Sequence, residues 1–237
     1  KFSNVTFGVY PSEHIATQFQ AAPTVLSWLG DRFNGKSTLG SCLTLNSAPT
    51  STANPGGGDF VVSLAKWNLT GTMTLATMQN QVVTLPSGAS FSSDANITRN
   101  ALSNSTMTVP DFSTSLKVLG LPTKVGLRIT QVGAPSGSVS LDTSGQLHIH
   151  GSTSVNITIT SLDGIGVGSC TTESPVVLPL NFDGPVSAMG AGGLTFTGTT
   201  TFPKIKGCLT SSIISSLMSG SGQGYTFTVT PPAPTTY

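Results

Sequence analysis

Leu69-Thr70-Gly71-Thr72-Met73-Thr74-Leu75 returns later in the chain as Phe196-Thr197-Gly198-Thr199-Thr200-Thr201-Phe202, with apolar or small residues at one parity and threonine at the other. Successive side chains of a β-strand point to opposite faces, so this spelling describes a strand with one buried face and one face coated with hydroxyls. The alternation recurs over residues 155–160 and 225–230 and, with histidine in place of threonine, over residues 147–150. It predicts an all-β chain built as an antiparallel β-sandwich.

Working outward, strand follows strand from Asp59 on: residues 60–66, 67–75, 81–85, 105–109, 115–119, 125–132, 138–141, 147–150, 155–160, 176–182, 194–202 and 225–229. Pro-Ser-Gly, Thr-Ser-Gly and Asp-Gly turns between them supply the positive φ that hairpins need. Ser211 to Met218, stopped by Gly220, reads as one short helix. The first 58 residues differ. After a short strand over 4–9, Pro11-Ser12 caps a helix through Ile15, Phe19 and Ala22, Thr24 caps a second through Val25, Trp28 and Leu29, and residues 47–58 form a Gly/Pro-rich linker. This gives an N-terminal segment, 1–58, and a sandwich region, 59–237.

A second echo suggests that the sandwich region holds two related β-units, about 59–120 and 121–237. Val82-Val83-Thr84-Leu85-Pro86 leads to Thr106–Phe112, and Val176-Val177-Leu178-Pro179 leads after nearly the same interval to Thr199–Ile205. Pro110 and Pro203 each end a strand, since proline donates nothing to a ladder. The alternative is that threonine-rich strands simply converge in appearance.

Only 8% of the residues are charged and the net charge is +1, against roughly 25% charged in an average soluble domain. No basic block exists to neutralise phosphates, which argues against nucleic acid as a partner. Gly30-Asp-Arg-Phe-Asn-Gly35-Lys36-Ser37 matches a phosphate-binding loop letter for letter. That loop works only between a strand and a helix, and the poor helix former Thr38–Leu45 argues against a nucleotide partner. His148 and His150 stand two apart, hence on one face of a strand, and could share a metal with Asp142 across a hairpin at Thr143-Ser144-Gly145. They occupy the parity that threonine holds elsewhere, so the reading is solvated surface, with no metal and no cofactor. No G-x-S-x-G elbow is present, His14 stands beside Glu13 on the N-terminal helix, and the acids are scattered through turns. No catalytic residue is assigned.

Cys170 and Cys208 flank the C-terminal strands and would pair, leaving Cys42 as the free thiol; the alternative is three reduced, buried cysteines. Asn4, Asn68, Asn96, Asn104 and Asn156 head N-x-S/T sequons, which chance supplies readily in so hydroxyl-rich a chain. Asn68 and Asn156 fall on the threonine parity and are expected to be exposed.

A threonine face has three physical readings: the outside of a sandwich, the lumen of a membrane barrel whose apolar parity meets lipid, or an array matching an ordered surface such as ice or a polysaccharide. Most strands read shorter than the roughly 9–11 residues a barrel needs, so membrane insertion is not favoured. Strands such as residues 225–230 carry no charge that would protect a sheet edge, which predicts assembly by strand addition.

Val82-Val83-Thr84-Leu85-Pro86-Ser87-Gly88-Ala89-Ser90, Met107–Phe112, Leu119–Leu127 and Thr130–Gly133 resemble a group of exported, uncharacterised proteins of actinobacteria, as do Cys170–Val177, Phe196–Cys208 and Ser219–Gly222. The resemblance covers roughly residues 60–235. It implies export, a Cys170–Cys208 disulfide and a cell-envelope setting, with no activity attached. A start at Lys1 without a leader is what removal of a signal peptide would leave. The expectation is a secreted or cell-surface protein that is not an enzyme. Its role is structural, self-assembling or adhesive, and its partner is a second copy or another envelope component. The alternative is a pore-forming or lipid-handling protein of a mycolate-type outer membrane.

Overall fold

A computed structural model describes residues 8–10, 14–36, 59–190, 192–233 and 235–236. In chain order the elements are β1 (Gly8–Val9), α1 (His14–Phe33), β2 (Val61–Leu75), β3 (Gln81–Thr84), β4 (Ser90–Asn96), β5 (Ala101–Thr108), β6 (Phe112–Val118) and β7 (Leu121–Gln131). There follow β8 (Ser136–Leu141), β9 (Gln146–Leu162), β10 (Ile165–Thr172), β11 (Val176–Pro185), β12 (Leu194–Phe202), β13 (Ile205–Lys206), α2 (Ser211–Met218), β14 (Gly220–Thr230) and β15 (Thr235–Thr236).

Two antiparallel sheets form a sandwich, as the alternation predicts. One runs β12-β14-β2-β4-β5, with β3 also on β2; the other runs β13-β10-β9-β7-β6, with β8 and β11 on β9. Strands from both sides of residue 120 contribute to both sheets. The short pair β1–β15 joins the two ends of the chain. The apolar parity of the long strands meets in one core that includes Trp67, Leu69, Met73, Leu75, Ile157, Ile159, Phe196, Phe202, Tyr225 and Phe227, each under a tenth exposed. The buried faces look at each other and the hydroxyls look out, the reverse of a lipid-facing barrel.

Several strands are longer than the sequence suggests, for identifiable reasons. Residues 60–66 and 67–75 are one strand, β2, because a bulge between Leu64 and Trp67 absorbs the break in parity. Lys66 takes φ 50° there and its N–H donates to Ser92 Oγ at 2.9 Å. Residues 147–150 and 155–160 likewise merge into β9, because Gly151 faces Gly137 across the ladder, where a Cβ on Gly137 would lie 2.7 Å from the Gly151 Cα. The sequence predicts no strand at β4 or β10. The buried parity of β4 includes Ser93, whose hydroxyl is satisfied by Ser105 Oγ at 2.7 Å. β10 is glycine-rich and is held through fully buried Cys170.

The two short N-terminal helices are one. Pro23 lies inside α1, and Thr24, the expected cap of a second helix, follows it inside the same helix. Proline's φ is helical, so its missing N–H and ring cost stability, about 3 kcal/mol, without forcing a break. Arg32 lies over the Trp28 ring at 5.4 Å, while Leu26 and Phe33 are exposed. The expected cap Pro11-Ser12, the strand residues 4–7, Cys42 and the linker at 47–58 lie outside the described residues. No helix among the described residues is long and apolar enough to cross a membrane. The expected 211–218 helix is α2.

Residues 225–230 are not an edge. They belong to β14, which lies between β12 and β2. The absence of charge there is what a central strand requires, and a partner some 150 residues upstream is invisible in the local sequence. Two outer strands are partly closed by side-chain amides. Gln131 Oε1 accepts from Met107 N–H and its Nε2 donates to Ser105 O on β5, and Gln81 does the same for both backbone groups of Lys117 on β6. These contacts occupy backbone groups that strand addition would need.

Cys170 and Cys208 form the expected disulfide, with Cα atoms 5.0 Å apart and a sequence separation of 38.

Candidate functional site: a threonine lattice and a histidine–aspartate cluster

The repeated strand acquires a meaning in three dimensions. β2 and β12 flank β14, and their registers align the outward residues into rows: Thr195–Thr228–Thr70, then Thr197–Thr226–Thr72–Thr84, then Thr199–Gly224–Thr74. A further row runs Thr230–Asn68–Ser90–Thr108. Strands about 4.8 Å apart and same-face residues about 6.8 Å apart along each strand make this a two-dimensional lattice of hydroxyl and methyl groups. Within it Thr195 Oγ1 and Thr228 Oγ1 hydrogen-bond at 2.9 Å. No row position carries a charge. Threonine suits strands on any face, yet a face that needed only water would accept lysine or glutamate as well.

The glycines of the two Thr-Gly-Thr copies serve the inner side. Gly71 faces Phe227 and Gly198 faces Tyr225, so each ring of the stacked Tyr225–Phe227 pair lies against a glycine, on opposite neighbours of β14. The Tyr225 hydroxyl donates to Pro179 O on β11, tying the two sheets together.

The second site is on the outer face of the other sheet. β9 places His148 and His150 on one side, and antiparallel β11 sets Asp183 directly opposite His148. His148 Nδ1 lies 2.6 Å from Asp183 Oδ1, and His150 Nε2 lies 3.2 Å from the same oxygen. Asp142, the carboxylate expected to complete the pair, instead approaches the far nitrogen, with His148 Nε2 at 3.7 Å from Asp142 Oδ2. Its other oxygen accepts from Ser144 N–H, Ser144 Oγ and Gln146 N–H, the hairpin predicted at Thr143-Ser144-Gly145. Asp183 lies one residue beyond the strand that the sequence predicts over 176–182, so the predicted site lacks it, whereas β11 runs on to Pro185. The Asn-Phe-Asp alternation that carries the strand through Asp183 was the available signal.

Asp183, with Asp142 behind it, raises the His148 pKa above its ordinary 6.5. Asp183 falls below 3.8 mainly through the His148 bond, and Asp142 mainly through the Gln146 N–H. A raised histidine stabilises below 6.5 and loses that contribution as pH climbs through its folded pKa. Lowered carboxylates stabilise above 3.8 and lose theirs as pH falls through their folded values. Both contributions are therefore complete together only between about pH 4 and 6.5. In a metal-free NMR titration His148 should titrate above 6.5, and Asp183→Asn should bring it back down; an unmoved His148 would show that the pair is not formed.

No family model matches the chain, and no curated protein or solved structure matches it either. The remaining sequence features fall as follows. Gly30 to Lys36 form the end of α1 and the turn after it, where Lys36 Nζ pairs with Asp31 at 2.7 Å. His14 opens α1. Asn68 is exposed as expected, whereas Asn156 is half-buried. An apolar cavity of about 50 Å³ lies between the sheets, lined by Phe60, Phe91, Leu141, Ile149, Val186 and Phe196 among others. That is a third of the roughly 150 Å³ in which a buried benzene fits, too little for a lipid chain.

Proposed function

We propose that this chain is an exported, non-catalytic surface protein that adheres through the outer face of β12–β14–β2 to a neutral, hydroxyl-rich polysaccharide. The register of the threonines is the observation that supports it: hydroxyls repeated in two directions on strands that cannot shift independently. Each hydrogen bond contributes about 0.5–1.5 kcal/mol net, and a rigid array loses little entropy in making several at once. The disulfide supports an oxidising, extracytoplasmic setting, and the resemblance to exported actinobacterial proteins points to the envelope. Self-assembly through residues 225–230 is not part of this reading, because β14 is central.

The test is co-sedimentation of the pure protein with crystalline cellulose, chitin and isolated cell-wall sacculi. The wild type should pellet with at least one of them. The triple variant Thr72→Lys, Thr197→Lys, Thr226→Lys should bind at least about ten times more weakly, by loss of one to two hydrogen bonds' worth of energy. Thr130→Lys, exposed on the other sheet, should bind normally. Failure to pellet with any polymer, or equal binding by the triple variant, sinks the proposal. A thermal-hysteresis gap in place of polymer binding would transfer the lattice from polysaccharide to ice.

A further inference from the structure

We propose that His148, His150 and Asp183 form a binding site for one divalent transition-metal ion of the zinc–copper type, with Asp142 orienting His148 from behind. The two imidazoles and the carboxylate come from paired positions of β9 and β11, and their ligand atoms all lie within 4.8 Å of one another. Four-coordinate ions with ligands at about 2.0–2.1 Å place neighbouring ligand atoms about 3.3 Å apart. His150 Nε2 and Asp183 Oδ1 are already at 3.2 Å. His148 Nδ1 and Asp183 Oδ1 are at hydrogen-bond distance, 2.6 Å, so an ion replacing the shared proton need only widen that contact by under about 1 Å.

Asp142 separates this arrangement from a chance ion pair. A metal-bound histidine usually donates its other ring N–H to a carboxylate, which fixes the ring and strengthens it as a ligand. Here Nδ1 faces the site while Nε2 stands 3.7 Å from Asp142 Oδ2, an ion-pair distance that a small rotation of the ring would close to a hydrogen bond, and Asp142 is itself immobilised by three hydrogen bonds to Oδ1 from its own turn. His148 is thus backed on one side and open on the other. Two nitrogens and one carboxylate select zinc, copper or nickel over magnesium and calcium, which take all-oxygen sets. With the three side chains between 35% and 55% exposed, the ion is reachable from solvent and keeps at least one position for water or for a group on a partner.

Isothermal titration of the full chain with ZnCl2 tests this. One zinc ion should bind per chain, with no response to MgCl2 or CaCl2, and the imidazole NMR signals of His148 and His150 should be the ones that shift. His150→Ala and Asp183→Asn should each weaken binding at least about 100-fold, and Asp142→Asn about 10-fold, the loss typical of a removed supporting carboxylate. A His14→Ala, Cys42→Ser variant guards against ligands elsewhere and should bind as the wild type does. Retained zinc affinity in the His150 and Asp183 variants, loss of it in the His14/Cys42 variant, or wild-type imidazole signals that zinc leaves unmoved would each overturn the assignment. Circular dichroism of each variant separates lost binding from lost fold.

Discussion

Replacing Cys170 and Cys208 together by alanine should lower the unfolding midpoint by about 10 °C, the largest single-site effect expected in the molecule. The bridge closes a 38-residue separation, which in the chain-entropy account restricts the unfolded state by about 4 kcal/mol. In a domain of this size each kcal/mol moves the midpoint by about 2–4 °C. What lies inside the loop gives the number structural content. Between the two cysteines run β11, which belongs to one sheet, and β12, which belongs to the other. The bridge therefore closes a loop that runs through both sheets, at the end of the sandwich where Thr200 Oγ1 of β12 donates to Val177 O of β11 at 2.6 Å. Cys170 is fully buried, so alanine there leaves a small cavity that adds to the loss. Thermal unfolding of oxidised wild type, reduced wild type and the double variant is the measurement. The double variant should melt at or slightly below the reduced wild type, and a midpoint unmoved by either change would show that core packing alone holds this loop in place. Thiol titration of the denatured, unreduced chain should find one free cysteine, Cys42.

Where the sequence was legible, one face of each strand carried the whole burial signal. Residues 67–75, 194–202 and 225–229 alternate legibly because their inward positions are mostly apolar or small and their outward ones mostly threonine. Legibility failed wherever burial is achieved by other means. β4 buries Ser93 through a hydroxyl pair, β10 relies on a disulfide rather than on apolar alternation, and β9 runs through Gly151 because a second glycine stands opposite. Neighbours across a ladder are also invisible locally. Nothing in residues 225–230 says that they are flanked on both sides, and nothing in residues 147–150 says that Asp183 arrives from β11. The histidine pair was thus half-readable: its shared face follows from spacing, but its true third group comes from a strand 35 residues away. The threonine face was readable as a surface, and only the registers of β12, β14 and β2 turn it into a lattice.

Those same registers predict that Gly71→Ala costs about 3 kcal/mol, out of proportion to one added methyl group. Gly71 has φ 151°, a conformation that side-chain-bearing residues adopt only with strain, and its Cβ would lie 2.7 Å from Phe227 Cδ1 and 2.9 Å from Phe227 Cα. Strained φ and overpacking each cost about 1–3 kcal/mol. The ring cannot retreat, since Phe227 is 5% exposed and stacked on Tyr225 with ring centres 5.3 Å apart, and Tyr225 is anchored to Pro179 O. Gly198→Ala meets the other ring of the same stack, with its Cβ 2.7 Å from Tyr225 Cζ, but at an ordinary φ, so about 2 kcal/mol is expected from overpacking alone. Because both substitutions push on one aromatic pair, the double variant should lose less than the sum of the two single losses. Urea unfolding reads all three values, and an unchanged m-value would confirm that the folded state rather than the unfolded one has been altered. If Gly71→Ala proves as stable as the wild type, the repeated Thr-Gly-Thr is not a seat for the Tyr225–Phe227 stack. The symmetry of β2 and β12 about β14 would then owe nothing to packing and everything to the threonines outside.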